Sequence, residues 1–127
     1  MVLQKLKEKN AQIALIGASN NSSKFGNRIY LNLRAKGYNI IPINPKEKKI
    51  EGDKAYASID MMNNLPDIIN FVVPPQITIK ITQKAIDLGI THLWFQPGSE
   101  SDELVELLRE NPDIKYLINS CIMVETR

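Results

Sequence analysis

The sequence predicts an α/β chain, with a doubly wound, mostly parallel sheet of five or six strands and helices on both faces. Three observations carry the prediction. Short runs of consecutive apolar residues recur along the chain, as strands covered on both faces require. Apolar residues at helical spacing fill the segments between them. The two patterns alternate from residue 13 onward, the order that right-handed crossovers wind into a parallel sheet.

The first strand is read at Ile13–Ile16 (IALI), and the helix after it carries Phe25, Ile29 and Leu33 every four residues, with Gly37 where a left-handed C-terminal cap belongs. A second strand follows at Ile40–Ile43 (IIPI). The segment KEKKIEGDK, Lys46–Lys54, reads as a charged surface loop, with a short strand or turn near Ala55–Ala57. Ile68–Val73 (IINFVV) is the third strand. Pro75 opens the next helix in the favourable first turn, Gly89 closes it, and Ile77, Ile81, Ala85 and Leu88 form its apolar stripe. His92–Phe95 (HLWF) is the fourth strand. A third helix places Leu104, Val105, Leu107 and Leu108 after Ser99 and Ser101, both suited to cap it, and before the terminating Pro112. Tyr116–Ile118 (YLI) is a weaker fifth strand.

At 127 residues, with 43% hydrophobic and 24% charged side chains, the chain fits one globular domain, residues 1–127. A net charge of +2, with sixteen Lys and Arg residues dispersed along the sequence, argues against a nucleic-acid partner. Cys121 is the only cysteine, which excludes an intramolecular disulfide and favours a reducing compartment. Lysines interrupt the apolar residues of MVLQKLKEKNAQ, so no signal-peptide core forms there. No apolar run approaches the roughly 20 residues that cross a bilayer. A cytoplasmic protein without a membrane partner is expected.

In doubly wound sheets ligands collect at the carboxyl ends of the strands. The first such end is Gly17-Ala18-Ser19. A dinucleotide fingerprint places a second glycine two residues after the first and a third three residues later, whereas here the next glycine is Gly26. The longer, more polar turn still suits phosphate: backbone amides from Ala18 onward, the N-terminus of the following helix, the hydroxyls of Ser19, Ser22 and Ser23, and the charge of Lys24. By itself the turn equally suits a polar loop bearing an exposed lysine. The second strand end narrows the ligand. An NAD site usually sets a carboxylate there for the ribose hydroxyls, but this chain has Asn44-Pro45-Lys46. A neutral side chain beside lysines tolerates a phosphorylated ribose that a carboxylate would repel, which favours coenzyme A, with NADP second. The alternative is a plain turn with solvated lysines.

GAS (Gly17–Ser19), KFG (Lys24–Gly26), INP (Ile43–Pro45), Gly52, PD (Pro66-Asp67), VPP (Val73–Pro75), WFQPG (Trp94–Gly98) and Cys121 occur in one order over nearly the whole chain. In that order the sequence resembles the stand-alone CoA-binding domain family, and is similar to the N-terminal CoA-binding domain of the succinyl-CoA synthetase alpha subunit. The resemblance implies a Rossmann-like fold in which the ADP part of CoA, or of an acyl-CoA, crosses the strand ends. It places Gly17, Ala18, Ser19, Lys24, Phe25 and Gly26 around the phosphates and Asn44, Pro45 and Lys46 near the adenosine. Val73, Pro74 and Pro75 would wall the adenine or ribose, and Gln96 and Gly98 would close the other edge. Synthetase alpha subunits continue into a second domain bearing a phosphorylated histidine, for which this chain has no room.

Neither His92 nor Cys121 has a neighbouring partner that makes a catalytic or metal motif, and Glu100, Asp102, Glu103 and Glu106 suit the first turns of a helix. The expectation is therefore a small non-enzymatic CoA-binding protein acting as carrier, sensor or recruiting module. An NADP-linked reductase or nucleotide-sensing regulator is the first alternative, and a subunit of a multi-chain acyl-CoA ligase the second. A homodimer or an unidentified protein partner stays open.

Overall fold

The structure, a computed structural model, describes residues 1–8 and 10–126. Five parallel strands form its sheet: β1 (Gln12–Ile16), β2 (Asn39–Ile43), β5 (Ile68–Phe71), β6 (His92–Phe95) and β7 (Lys115–Leu117), in the order β2-β1-β5-β6-β7. The chain leaves β1 for β2 on one side and returns to β5 on the other, so the sheet's direction reverses at the end of β1. That is where a crevice opens in doubly wound sheets.

Because alternate side chains of a strand point to opposite faces, each apolar run feeds two cores. Ala14, Ile16, Ile69, Phe71, Leu93 and Phe95 face α3 (Pro75–Asp87) and α4 (Asp102–Arg109). The Phe71 and Phe95 rings stack there with centroids 4.7 Å apart. Ile13, Leu15, Ile68 and Trp94 face α1 (Val2–Leu6), α2 (Phe25–Ala35) and α5 (Ile122–Glu125), which contribute Val2, Leu6, Ile29, Tyr30, Leu33 and Ile122. The fold is the Rossmann-like α/β sheet expected, with five strands and helices on both faces.

Several terminators act as the sequence implies. Gly37 and Gly89 adopt φ of 90° and 82° at the ends of α2 and α3. In each case the following residue's amide reaches back into the last turn, Tyr38 to Leu33 and Ile90 to Ala85, satisfying carbonyls that the helix leaves open. Ser101 caps α4 by accepting the Leu104 amide at 3.1 Å. Ser99, the other candidate, is buried and donates instead to the Gln96 carbonyl.

Three expectations change, and one element was not anticipated. The charged loop Lys46–Lys54 contains a hairpin, β3 (Lys49–Ile50) and β4 (Asp53–Lys54), turned by Glu51 and Gly52 at φ 49° and 84°. Ile50, fully buried, anchors it to the core. Second, the strand read as Ile68–Val73 ends at Phe71, releasing Val72 and Val73 toward the crevice. The stripe of α3 is also rotated. Thr78, Thr82 and Ala85 are fully buried, while Ile77 is 43% exposed and Ile81 half-buried. The threonines can face the core because their hydroxyls donate to nearby carbonyls, Thr78 to Val73 and Pro74 and Thr82 to Thr78. Finally, the N-terminal segment forms α1, whose Val2 and Leu6 are buried. The short segment near Ala55–Ala57 is confirmed as a bridge between Tyr56 and Ile43 on the outer edge of β2.

Candidate functional site

Gly17 ends β1 in a conformation that side chains resist, φ 103°, and a Cβ there would lie 2.8 Å from both the carbonyl oxygen and a methyl of Val72. Gly26 sits in the first turn of α2, where a Cβ would lie 1.9 Å from the Gly17 carbonyl oxygen. Gly26 thus does what the third glycine of a dinucleotide fingerprint does, letting the helix press against the turn, although it stands farther along the chain.

The intervening loop is shaped by its own polar side chains. The Asn21 amide donates to Ser19 Oγ at 3.0 Å, and Asn21 Oδ1 accepts from both the amide and the hydroxyl of Ser23. Ser23 is therefore spent on the loop itself. Asn27 donates to the Ser19 carbonyl at 2.8 Å and to Glu51 Oε2 at 3.2 Å. Asn20 pairs with the hairpin twice, through Lys49 O at 2.8 Å and the Glu51 amide at 2.7 Å. The hairpin that the sequence hid is thus a clamp on the turn after β1. Lys24 is the residue preceding α2, exposed and without an ion pair among the described residues. The amides of Phe25 and Gly26 begin the helix without an acceptor among those residues, as first-turn amides do. Loop, helix end and Lys24 thus stand together at the carboxyl end of β1.

Asn44 ties the second strand end to the first, its Nδ2 donating to the Ala18 carbonyl at 2.9 Å while its Oδ1 accepts the amides of Lys46 and Glu47. Beside this contact lies a groove of about 220 Å³, walled by Gly17, Ile43, Asn44, Pro45, Val73 and Ile77 and continued by Ile59 and Ile81. The rotated helix explains its character. Exposed Ile77 and half-buried Ile81 supply its apolar wall. Its far end is closed by Lys84, which meets Asp60 Oδ1 at 2.8 Å and Ser58 Oγ at 3.0 Å. The hydrogen bond from Lys84 holds the Asp60 carboxyl below its usual range.

Val73 also borders a second groove of about 480 Å³, with Phe25, Val72, Pro74, Pro75, Pro97 and Gly98 around it. Phe25 is 42% exposed because it lines this groove rather than joining the buried stripe of α2. Of the residues expected from the sequence, Gly17, Asn44, Pro45, Val73, Pro74, Pro75, Phe25 and Gly98 line the two grooves, and Lys46 lines an adjoining basic one. Ala18, Ser19, Lys24 and Gly26 build the turn between them. Gln96 does not line either groove: it is 1% exposed, with Oε1 accepting from Asn70 and the Ile122 amide and Nε2 donating to Cys121 Sγ at 3.4 Å. Ile77, Ile81, Ser58 and Lys84 were missed. For Ile77, Ile81 and Lys84 the signal was present in the four-residue spacing of α3, which fits two adjacent helix faces equally well; Ser58, in the loop before Ile59, carried none.

His92 contacts Thr91, and burial, followed by the charge of Lys5, holds its pKa below the ordinary value. Among the described residues no group of three His, Cys, Asp or Glu is placed to hold a metal, and no helix is long and apolar enough to cross a membrane.

The chain is 43% identical to a conserved hypothetical protein from Pyrococcus furiosus, with a TM-score of 0.86 over 91% of this chain and 98% of that one. A hypothetical protein from Pyrococcus horikoshii OT3 superposes with a TM-score of 0.86 at 27% identity, covering 97% of this chain and 86% of its own. The chain is also 35% identical over 106 residues, 75% of its length, to the alpha subunit of an ADP-forming acetate–CoA ligase II from Pyrococcus furiosus, of which it spans 23%. Residues 11–127 match the CoA binding domain family, and the chain belongs to that family.

Proposed function

We propose that this chain binds coenzyme A or an acyl-CoA without transforming it, holding the ADP moiety across the ends of β1, β2 and β5. The observation that carries the reading is the meeting at one point of an amide-rich turn with Lys24 and an apolar groove walled by Ile43, Val73 and Ile77. The 5′ diphosphate lies on the turn, the adenine in the first groove, and the pantetheine arm runs past Val73 into the second. In the first groove Lys84 is held by Asp60 and the Ser58 hydroxyl, and among the described residues no His, Cys or carboxylate lines that groove with them. His92 lies at the start of β6, the opposite end of the strand from the crevice, and the Cys121 thiol meets Gln96.

Calorimetric titration with CoA tests the proposal. One molecule is expected to bind per chain, and Lys24→Gln to weaken binding by about tenfold, the loss of one charge-assisted contact. Absence of heat and of thermal stabilisation with both CoA and acetyl-CoA would overturn it.

A second reading is supported by the 35% identity to a ligase alpha subunit. The chain would then present CoA to catalytic machinery carried elsewhere. Reconstitution with candidate partners should produce CoA-dependent ligation if this reading holds and none if the chain acts alone.

A further inference from the structure

A polar stripe runs along α2 beside its apolar one. Asn27, Tyr30 and Arg34 stand three and four residues apart, so they share one face of the helix, and each bonds the hairpin. Asn27 donates to Glu51 Oε2, Tyr30 to Asp53 Oδ2, and Arg34 to Asp53 Oδ2 at 2.7 Å and to the Glu51 carbonyl at 3.1 Å. We infer that Asp53 is a positioning residue for the ligand site: it latches the hairpin to α2, and through the hairpin it holds the turn after β1 in the shape that receives the ligand. The inference rests on the CoA reading above and adds how the turn is kept ready.

The turn has little other support. Among the described residues, the hydrogen bonds that tie residues 19–23 to anything beyond their own loop come from two side chains. Asn20 meets the Lys49 carbonyl and the Glu51 amide, and Asn27, which itself holds Glu51, donates to the Ser19 carbonyl. Both routes end on the hairpin. A loop ordered by so few contacts is only as firm as the element they reach.

With two residues in each strand, the hairpin is too short to hold by its own ladder. Ile50 anchors one strand in the core, and Asp53, its partner across the ladder, ties down the other. The ion pair with Arg34 alone would do this weakly, because the two side chains are 46% and 42% exposed. Tyr30 makes the tie firm. Its ring is 1% exposed and packed in the core, so the hydroxyl is offered to Asp53 from a rigid place. Burial, followed by the bond to Asp53, raises the Tyr30 pKa and keeps that hydroxyl a donor.

Charge and latch predict opposite signs. CoA is an anion, so the field of the protein favours its binding when a carboxylate is removed. A latch predicts that removing Asp53 weakens binding, because the turn loses its support.

The test is calorimetric titration of CoA into the unaltered protein and into Asp53→Ala, Asp53→Asn, Asn20→Ala and Asn20→Ala/Asp53→Ala, each first shown by its melting curve to be folded. Asp53→Ala is expected to bind about fivefold more weakly, the loss of one hydrogen-bonded tie. Asp53→Asn, which keeps an acceptor for Tyr30, should recover most of that loss. The double variant should lose less than the product of the two single losses, because Asn20 belongs to the same bridge. Equal or tighter binding by Asp53→Ala, or losses that multiply in full, overturns the latch while leaving CoA binding intact. If no form binds CoA, the CoA reading falls, and the latch is judged on the ligand-free protein by hydrogen exchange at the Lys24 amide, which is bonded to Asn21 O within the turn. That exchange should quicken about tenfold in Asp53→Ala, and an unchanged rate overturns the latch as well.

Discussion

Replacing Gly26 with alanine should damage stability and binding together, because one contact serves both. The new Cβ would stand 1.9 Å from the Gly17 carbonyl oxygen. A carbon and a carbonyl oxygen rest no closer than about 3.3 Å, so helix and turn must part by roughly 1.4 Å. The opposing atom is backbone, and no side-chain rotation can absorb the overlap. Overpacking of this kind costs about 1–3 kcal/mol, of which the better helix propensity of alanine returns less than about 1 kcal/mol. A net loss of about 2 kcal/mol should lower the melting temperature by roughly 8 °C in a domain of this size. Gly37→Ala is the informative control. A Cβ there meets no atom within 4 Å, but φ is 90°, so it should cost about 1–2 kcal/mol through backbone strain alone and leave CoA affinity unchanged. Thermal melts with and without CoA, followed by calorimetric titration of each folded variant, separate the two effects. If Gly26→Ala melted with the unaltered protein, the reasoning from the contact would fail. If it lost stability yet bound CoA normally, the turn would not be the anion site.

Two further outcomes follow from side-chain placement. Ile77→Ala should weaken CoA binding severalfold with a small effect on folding, since Ile77 is 43% exposed and walls the base groove, whereas Ile29→Ala, at a fully buried position, should cost about 2–5 kcal/mol; the pair is read by urea denaturation and titration. Acid should weaken the fold through Asp53 and Asp60. Asp53 is held below its usual range by hydrogen bonds first from Tyr30 and then from Arg34, and Asp60 by Lys84. A carboxylate with a lowered folded pKa stabilises at pH above its unfolded value, about 3.9, and that contribution is lost as the pH falls through the folded value. Urea midpoints measured between pH 6 and pH 3 should therefore fall less steeply for Asp60→Asn than for the unaltered chain.

The strands and long helices were legible because each apolar run is both short and continuous, and because Gly37, Gly89 and Pro75 stand at the positions where helices begin and end. The fold followed from their order. The turn after β1 and its tie to the second strand end were legible in outline, from Gly17, Lys24 and Asn44, but their support was not. Within KEKKIEGDK, Ile50 and the Glu51-Gly52 turn were the signals of a hairpin, outweighed by the surrounding charge. In α3, Ile77, Ile81 and Ala85 suggested one buried stripe, yet threonines that satisfy their own hydroxyls compete for the same face. Gln96 lies beside the crevice in sequence and turns inward because buried Asn70 and the Ile122 amide require partners. Such a demand belongs to residues distant along the chain, which local pattern does not register.

The central claim is that the ends of β1, β2 and β5 hold the ADP part of CoA. Amide chemical-shift mapping during a CoA titration tests it most directly. The account predicts saturable shifts centred on Gly17, Ser19, Phe25, Gly26, Asn44 and Val73, with Lys115–Leu117 at the far edge of the sheet unmoved. Shifts confined to that far edge, or none at millimolar CoA, would contradict it.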